Sequence, residues 1–210
     1  MNRKRNKRFK DWSEYYHHQK AREPENELLR EVFTLLKREK KSRARTERAI
    51  DLGCGRGHDT YALLKKGYEV VGVDASKEAF KLMRPIIPMS WRRRLITKCE
   101  SFEHLSKLKK ASLINAQCSV FFCKKSVFVS VWKKIIASLE TEGIFCGNFL
   151  GRRDDWAKSP EITALSKREL KKMLKGFQVL LFVEREDDLG TLTGKEKHWH
   201  LYSVIARKIR

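Results

Sequence analysis

A glycine-rich turn constrains the fold of this chain more than any other feature of its sequence. Gly53, Gly55 and Gly57 alternate with other residues. Glycine adopts backbone conformations that other residues avoid, and it lets a ligand approach the main chain closely. A mostly apolar stretch at residues 49–52 precedes the turn, and a helical pattern at residues 59–66 follows it. A glycine-rich turn between a strand and a helix is typical of α/β domains that bind nucleotides or nucleosides.

Two acidic residues indicate what kind of ligand this turn would bind. Asp51 lies at the end of the strand before the turn, and Asp74 lies at the end of the next predicted strand. The spacing differs from the G-x-G-x-x-G pattern, which places a pyrophosphate on a helix N-terminus. Asp51 would repel a pyrophosphate but suits an amino group, whereas Asp74 can accept hydrogen bonds from both ribose hydroxyls. The pattern therefore predicts a nucleoside that carries an amino acid.

Strands and helices alternate along most of the chain, and two strands follow each other closely at its end. This order predicts an α/β fold: a doubly wound, mostly parallel, seven-stranded sheet with helices on both faces and a C-terminal antiparallel hairpin. The predicted strands are residues 49–52, 68–74, 91–97, 111–116, 143–149, 176–184 and 198–206, and the helices are residues 24–40, 59–66, 76–85, 126–139 and 166–175.

The length and the uncharged stretches indicate one domain outside a membrane. The chain has 210 residues, of which 41% are hydrophobic, so we expect a basic N-terminal segment with a lid helix at 1–24 and a single domain at 25–210. The longest uncharged run, Ala111 to Cys123, is 13 residues long, whereas a membrane span needs about 20 apolar residues. No apolar segment follows the basic first ten residues. We therefore expect no secretory signal and a cytoplasmic location.

The five cysteines fit a reducing compartment. Their number is odd and none forms a C-x-x-C pair, so we expect reduced thiols in the core. They are Cys54, Cys99, Cys118, Cys123 and Cys146.

The chain is strongly basic, with 47 Lys and Arg against 26 Asp and Glu, for a net charge of +21. The excess is concentrated in residues 1–48 and 81–110, whereas residues 49–80 contain four basic and five acidic residues. A basic surface favours polyanion partners such as RNA. A lysine-rich proteome with charged, solvated helix faces explains the same balance.

The turn with its two acids closely resembles the class I S-adenosylmethionine-dependent methyltransferases. The resemblance implies a Rossmann-like fold, S-adenosyl-L-methionine as cofactor and S-adenosyl-L-homocysteine as product. It implies that the glycine-rich turn holds the methionine part, that Asp51 organises this loop, and that Asp74 holds the ribose. The cofactor-binding residues that it implies are Asp51, Gly53, Cys54, Gly55, Gly57, Asp74 and Ala75, with Ser101 and Phe102 for the adenine and Asn115 at the end of the fourth strand.

A narrower resemblance extends over nearly the whole chain. Its motifs are Trp12-x-x-Tyr-Tyr with Arg22-Glu-Pro, and the segments 114–123, 145–156 and 194–200. They resemble a bacterial group similar to the tellurite-resistance type of small-molecule methyltransferase. This resemblance implies that Trp12, Tyr15 and Tyr16 cover the cofactor. Arg22 would pair with the cofactor carboxylate, because a guanidinium binds a carboxylate bidentately.

Several polar side chains are expected at the C-terminal edge of the sheet, where doubly wound folds bind ligands. His198 and His200 are two residues apart on a strand, so they share one face. They are interpreted as catalytic bases, as part of a metal site or as structural histidines. No third ligand stands out by spacing, and we expect no metal. The catalytic candidates are Tyr16, Asn115, Arg152, His198 and His200, and further candidates near the substrate are Gln117, Asp155 and Trp156.

The turn after the fourth strand argues against base methylation. Methyltransferases of DNA bases and of protein glutamine typically have an Asn/Asp-Pro-Pro-Tyr turn there, whereas residues 115–118 read Asn-Ala-Gln-Cys. No cysteine follows a proline, as cytosine-5 methylation would need. We therefore expect a small-molecule acceptor: a thiol, a chalcogen oxyanion or an amine. The alternatives are a methyltransferase of RNA or another polyanion and a non-catalytic module that binds S-adenosylmethionine.

Overall fold

The computed structural model describes Trp12, Tyr15, Tyr16 and residues 27–39, 47–191 and 196–209. Trp12, Tyr15 and Tyr16 have helical backbone. The helices are α1 (Glu27–Arg38), α2 (His58–Lys65), α3 (Lys77–Met83), α4 (Lys125–Ser138) and α5 (Lys167–Met173). The strands are β1 (Arg48–Leu52), β2 (Glu69–Asp74), β3 (Leu95–Cys99), β4 (Ala111–Ala116), β5 (Leu139–Gly151), β6 (Ala164–Leu165), β7 (Phe177–Gly190) and β8 (Glu196–Lys208).

One sheet connects all eight strands. Its order is β3-β2-β1-β4-β5-β8-β7, and β6 pairs with β5 beside this path. The strands pair in parallel except for β8, which is antiparallel to both β5 and β7. The predicted α/β fold class is confirmed, including the C-terminal antiparallel hairpin. The prediction of seven strands missed β6, because a strand of two residues has no readable alternation.

The third strand begins later than predicted. Residues Met89–Arg94 form a 3₁₀ helix, and β3 starts at Leu95 rather than at residue 91. Arg94 Nη1 donates to the carbonyl oxygens of Leu64 and Tyr68, at 2.9 and 3.0 Å. Leu64 lies in the last turn of α2, where a cation offsets the negative end of the helix. Arg92, Arg93 and Arg94 thus form an arginine run that precedes β3, and Arg94 caps the C-terminal end of α2.

The core lies on both faces of the sheet. One buried cluster includes Ile50 and Leu52 of β1 with Trp132 of α4. The other includes Ala49 of β1 with Leu63 of α2. Neighbouring residues of β1 point to opposite faces, as strand geometry requires. Both faces of the central strands are therefore covered by helices, as predicted.

The buried face of α4 includes Phe128, Val131, Trp132 and Ile135, whereas Val127 and Ile136 are only partly buried.

The cysteines are free thiols, as predicted. Cys54, Cys123 and Cys146 are buried, whereas Cys99 and Cys118 are exposed, so the prediction of a core position was wrong for these two. Cys99 is the last residue of β3, and Cys118 lies two residues after the end of β4. No helix among the described residues is long and apolar enough to cross a membrane.

The register of the parallel strands determines where the site forms. Asp51 pairs with Gly72 of β2 on one side and with Asn115 of β4 on the other. The carboxyl ends of β1, β2 and β4 therefore meet at one edge of the sheet. In open α/β sheets, ligands bind at this edge.

Candidate cofactor and active site

The glycine-rich turn adopts a conformation that requires glycine. Gly53 and Gly55 have φ values of +71° and +49°. A Cβ atom on Gly53 would lie 2.3 Å from the Cβ of Ser119, and one on Gly55 would lie 3.0 Å from the ring of Tyr16. The amides of Gly53 and of buried Cys54 donate to the Val73 carbonyl oxygen, at 2.7 and 3.0 Å. These hydrogen bonds hold the turn against β2. There is no space for a side chain on Gly53 or Gly55, so main-chain atoms line this part of the turn. Gly57 precedes the first residue of α2.

Asp74 accepts several hydrogen bonds in a buried position. Its Oδ1 accepts from the Ser76 amide at 2.9 Å. Its Oδ2 accepts from the Gly55 amide and from the Tyr16 hydroxyl, both at 2.9 Å. Burial raises the pKa of Asp74, and these hydrogen bonds partly offset the shift. No cation is among these donors, so the negative charge of Asp74 remains available to a ligand.

Asp51 is buried more deeply and also has neutral donors. Its Oδ2 accepts from the Thr60 hydroxyl at 2.6 Å, and its Oδ1 accepts from Asn115 Nδ2 at 2.8 Å. Burial raises the pKa of Asp51 well above the usual range of aspartate, and the charge of Asp59 raises it further. The hydrogen bonds from Thr60 and Asn115 oppose this shift. The carboxylates of Asp51 and Asp59 thus lie close enough for the charge of one to affect the other.

Amide side chains at the end of β4 connect the two carboxylates. Asp59 Oδ2 accepts from Asn115 Nδ2 and from Gln117 Nε2, each at 3.1 Å. Gln117 Nε2 also donates to Asn115 Oδ1 at 3.0 Å. The Oε1 atom of Gln117 is buried and has no hydrogen-bond partner in the described part of the chain. An unpaired buried acceptor is costly, so this atom is suited to a ligand that donates a hydrogen bond.

Aromatic residues from the N-terminal segment pack over the turn. Tyr16 is 7% exposed, and its carbonyl oxygen accepts from Arg56 Nη1 at 3.2 Å. The ring of Trp12 packs edge-on against Phe122, with centroids 4.6 Å apart. Tyr15 packs against both Trp12 and Tyr16. The predicted covering residues thus lie beside the glycine-rich turn and the loop after β4. Arg22 lies outside the described residues.

The residues predicted to hold the adenine lie after β3, next to Asp74. The Glu100 amide donates to the Asp74 carbonyl oxygen at 2.9 Å, which brings the turn with Ser101 and Phe102 beside β2. The carboxylate of Glu100 accepts from the amide and the hydroxyl of Ser106. The carboxylate of Glu100 therefore makes hydrogen bonds within the segment that follows β3. Cys99 Sγ lies 3.6 Å from the carbonyl oxygen of Ala75.

We name the acidic and amide side chains around the glycine-rich turn the central edge. It comprises Asp51, Asp59, Asp74, Asn115 and Gln117, with the glycine-rich turn between them. Asp59 and Thr60 were not among the residues predicted from the sequence. Polar residues in the first turn of the helix after a glycine-rich turn are the pattern that could have identified them.

The other predicted catalytic residues lie farther along the sheet, around β5, β7 and β8. His198 Nδ1 lies 2.7 Å from Asp188 Oδ1, which raises the pKa of this histidine. His200 is buried, and its Nε2 lies 3.1 Å from Glu184 Oε1. We name this region the hairpin edge: Arg153, Glu184, Glu186, His198 and His200.

The hairpin edge is rich in internal ion pairs. Arg153 donates to both Glu184 and Glu186, and Lys167 donates to Glu184. Arg152, a predicted catalytic residue, is exposed and donates to Glu169 at 2.7 Å. The ring of His200 bonds to Glu184 and Arg153, and its backbone amide donates to Asp154.

Two further candidates near the substrate also have structural partners. The Asp155 carboxylate accepts from the His198 amide at 2.8 Å. The Trp156 ring contacts Trp199 and Phe122, with centroids 5.1 and 5.7 Å apart.

One group of side chains at the hairpin edge has the composition of a metal site. Ligand atoms of Glu184, Glu186 and His200 lie within 4.8 Å of one another. The sequence spacing did not reveal this group, because β7 supplies the two carboxylates across the hairpin. Arg153 and Lys167 already pair with these carboxylates, so their charge is balanced by the protein itself.

The comparison with known families agrees with this geometry. Residues 49–143 match a family described as a methyltransferase domain, which covers the segment from β1 to the start of β5. The fold is that of the class I S-adenosylmethionine-dependent methyltransferases, and the matched segment contains every residue of the central edge.

Among solved structures, the chain is similar to TehB from Haemophilus influenzae. The sequences are 16% identical and the TM-score is 0.69. The similarity covers 94% of this chain but only 65% of the TehB chain, so this chain spans about two thirds of that protein. The expected likeness to the tellurite-resistance type is therefore confirmed at the level of structure.

Two other solved structures have a similar fold. An S-adenosylmethionine-dependent methyltransferase from Methanosarcina mazei is 18% identical, with a TM-score of 0.60, over 83% of this chain and 97% of that one. The 1,6-didemethyltoxoflavin-N1-methyltransferase from Burkholderia thailandensis is 17% identical, with a TM-score of 0.63, over 96% and 87%. It contains 1,6-didemethyltoxoflavin and S-adenosylhomocysteine. A search of curated proteins finds no match.

Proposed function

We propose that this protein is an S-adenosylmethionine-dependent methyltransferase that acts on a small molecule. The observation that carries the proposal is the pair of buried carboxylates at the ends of β1 and β2, with the glycine-rich turn between them. Within the part of the chain that the structure describes, the side chains of Asp51 and Asp74 accept hydrogen bonds from neutral donors. They suit a ligand with ribose hydroxyls and an ammonium group.

The side chains of the central edge fit the amino-acid part of this cofactor. Gln117 Oε1 is a buried acceptor without a partner in the described chain, and an ammonium group would supply the missing donor. Gln117 Nε2 donates to Asp59, and Asn115 donates to both Asp59 and Asp51, so this acceptor belongs to a network that contains two carboxylates. A side chain on Gly53 or Gly55 would collide with Ser119 or Tyr16, so main chain lines the cradle.

The residues of the chain orient the reactants and keep the site dry. The cofactor, when bound, supplies an electrophilic methyl group on a sulfonium, whose sulfur keeps the electron pair when a nucleophile takes the methyl. Asp74 would hold the ribose, and Gln117 would hold the amino group. Trp12 and Phe122 would exclude water beside the end of β4. Among the described residues, the central edge consists of carboxylates and amides, and catalysis by this arrangement would rest mainly on orientation.

The acceptor remains one of three classes: a thiol, a chalcogen oxyanion or an amine. A thiolate or a chalcogen oxyanion needs no base, whereas an oxygen or amine nucleophile must lose its proton to a nearby group or to water. The structural likeness to TehB and to an enzyme with a small heteroaromatic ligand supports a small acceptor. The division into a lid segment at 1–24 and a domain at 25–210, the cytoplasmic location and a bacterial origin remain predictions.

Calorimetry with S-adenosylhomocysteine tests the proposal directly. We expect binding in the micromolar range by the folded protein, and its absence at high micromolar concentration would reject the proposal. Labelled S-adenosylmethionine with thiols, amines, selenite and tellurite would then identify the acceptor class. Tight cofactor binding without turnover on any of these acceptors would favour the non-catalytic module.

The polyanion alternative loses part of its support. Arg92 donates to the carbonyl oxygens of Ile87 and Arg84, and Arg94 caps α2, so two arginines of the run serve the fold. Arg93 is exposed. If RNA is the substrate, binding should weaken steeply as salt rises. Weak binding that does not change between 50 and 200 mM salt would exclude this alternative.

A further inference from the structure

The Oδ2 atom of Asp74 has no remaining capacity for a hydrogen bond. It accepts from the Gly55 amide and from the Tyr16 hydroxyl, both at 2.9 Å. A carboxylate oxygen offers about two lone pairs, so these donors occupy both. Oδ1 accepts from the Ser76 amide, and the Ala75 amide also donates to this carboxylate.

The chain holds Tyr16 at this carboxylate through several contacts. The side chain is buried, its ring lies against Gly55, and its carbonyl oxygen accepts from Arg56 Nη1. The rings of Trp12 and Tyr15 pack against it, with centroids 6.4 and 5.6 Å away. The bond between Tyr16 and Asp74 is therefore an organised contact of the folded chain.

We infer that Tyr16 determines the affinity of the cofactor site, because its hydroxyl and a ribose hydroxyl are alternative donors to Asp74 Oδ2. The inference rests on the proposed function, in which Asp74 holds the ribose. To accept both ribose hydroxyls, the carboxylate needs one lone pair on each oxygen. The Gly55 amide belongs to the glycine-rich turn and cannot leave, so the Tyr16 hydroxyl must withdraw.

This competition affects the cofactor and its product equally, since both carry the same ribose. The Tyr16 hydroxyl must leave the buried Asp74 carboxylate when the ligand binds, and this loss lowers the affinity. When the hydroxyl bonds to Asp74 again, it favours release of the ligand. Tyr16 would therefore lower the affinity for S-adenosylhomocysteine and accelerate its departure. A tyrosine that only covered the ligand would have the opposite effect, because its removal would weaken binding.

The two possibilities predict different results for Tyr16→Phe, which retains the ring and loses the hydroxyl: a tyrosine that only covers the ligand would leave the affinity unchanged. We expect this variant to bind S-adenosylhomocysteine about five- to tenfold more tightly than the wild type in calorimetry, the range expected for the net contribution of one hydrogen bond. Equal or weaker binding would overturn the inference. Tyr61→Phe is the matched control, because Tyr61 lies on α2 and packs against Trp91. Its affinity should equal that of the wild type.

The dissociation rate provides a second, independent readout. Differences in affinity at one site arise mostly in dissociation. S-adenosylhomocysteine should therefore leave Tyr16→Phe several-fold more slowly than the wild type in surface plasmon resonance. Equal or faster dissociation would contradict the inference.

Failure of the inference can be distinguished from failure of the proposed function. If wild type and both variants are folded by circular dichroism but none binds S-adenosylhomocysteine, the proposed function is wrong. If all three bind and Tyr16→Phe is not tighter, only the inference is wrong.

Discussion

The central edge and the hairpin edge both contain several acidic groups at the same side of the sheet. The hydrogen-bond partners of these acidic groups differ between the two edges. At the central edge, Asp51 and Asp74 accept from amides and hydroxyls. At the hairpin edge, Glu184 and Glu186 pair with Arg153. Neutral donors orient a carboxylate and leave its charge uncompensated, whereas an ion pair cancels it. The first arrangement suits a cationic ligand, and the second stabilises the hairpin.

We expect the largest effect on ligand affinity when the carboxylate that would bind the ribose is removed. Asp74→Ala should weaken the binding of S-adenosylhomocysteine about 100-fold, because hydrogen bonds to a charged group are lost. Calorimetry measures this, with Glu186→Gln as the control from the hairpin edge. Comparable losses in both variants would remove the distinction between the two edges.

A smaller effect is expected at the unpaired acceptor. Gln117→Leu should weaken the binding of S-adenosylhomocysteine about tenfold, because the ammonium group loses its acceptor. The binding of 5′-methylthioadenosine, which has no amino acid, should not change. If both ligands lose affinity equally, Gln117 supports the site without contacting the amino group.

The pH dependence of stability should also differ between the edges. The folded-state pKa of Asp51 is raised, so the folded chain binds a proton that the unfolded chain releases, and ionisation of Asp51 costs stability as the pH rises from about 4 towards neutrality. Asp51→Asn removes this cost. Between pH 5 and pH 8, we expect the free energy of unfolding of the variant to rise relative to the wild type by on the order of 1 kcal/mol.

Urea unfolding at the two pH values measures this difference. A constant difference across this range would show that Asp51 ionises normally in the folded chain. Glu184→Gln should show an effect of opposite sign at lower pH, because hydrogen bonds from Lys167 and His200 lower the pKa of Glu184 from 4.5 to about 2. The stability that ionised Glu184 contributes is lost as the pH falls through this range, and it should stay nearly constant between pH 5 and pH 8.

The smallest effect is expected at the exposed ion pairs. Glu186→Gln should lower the melting temperature only slightly, because exposed ion pairs contribute little and are screened by salt. The difference should shrink further at high salt in a thermal melt. A large decrease that salt does not alter would assign the hairpin edge a greater role than its exposure indicates.

Much of the fold and part of the site were predictable because their causes are local. The glycines, Asp51 and Asp74 lie in short segments whose alternation and turn chemistry are readable in the sequence. The 3₁₀ helix at Met89–Arg94 was missed because Arg94 bonds to carbonyl groups 26 and 30 residues away. The group of Glu184, Glu186 and His200 was missed because a hairpin brings its members together.

The sequence alone determined the order of elements, the glycine-rich turn and the two acids at the strand ends, because each depends on neighbouring residues. Only the tertiary structure decided which donors these acids receive. Tyr16 reaches Asp74 across 58 residues, and Asn115 reaches Asp51 across 64. Such bonds depend on how strands and helices pack, and packing follows from the whole chain.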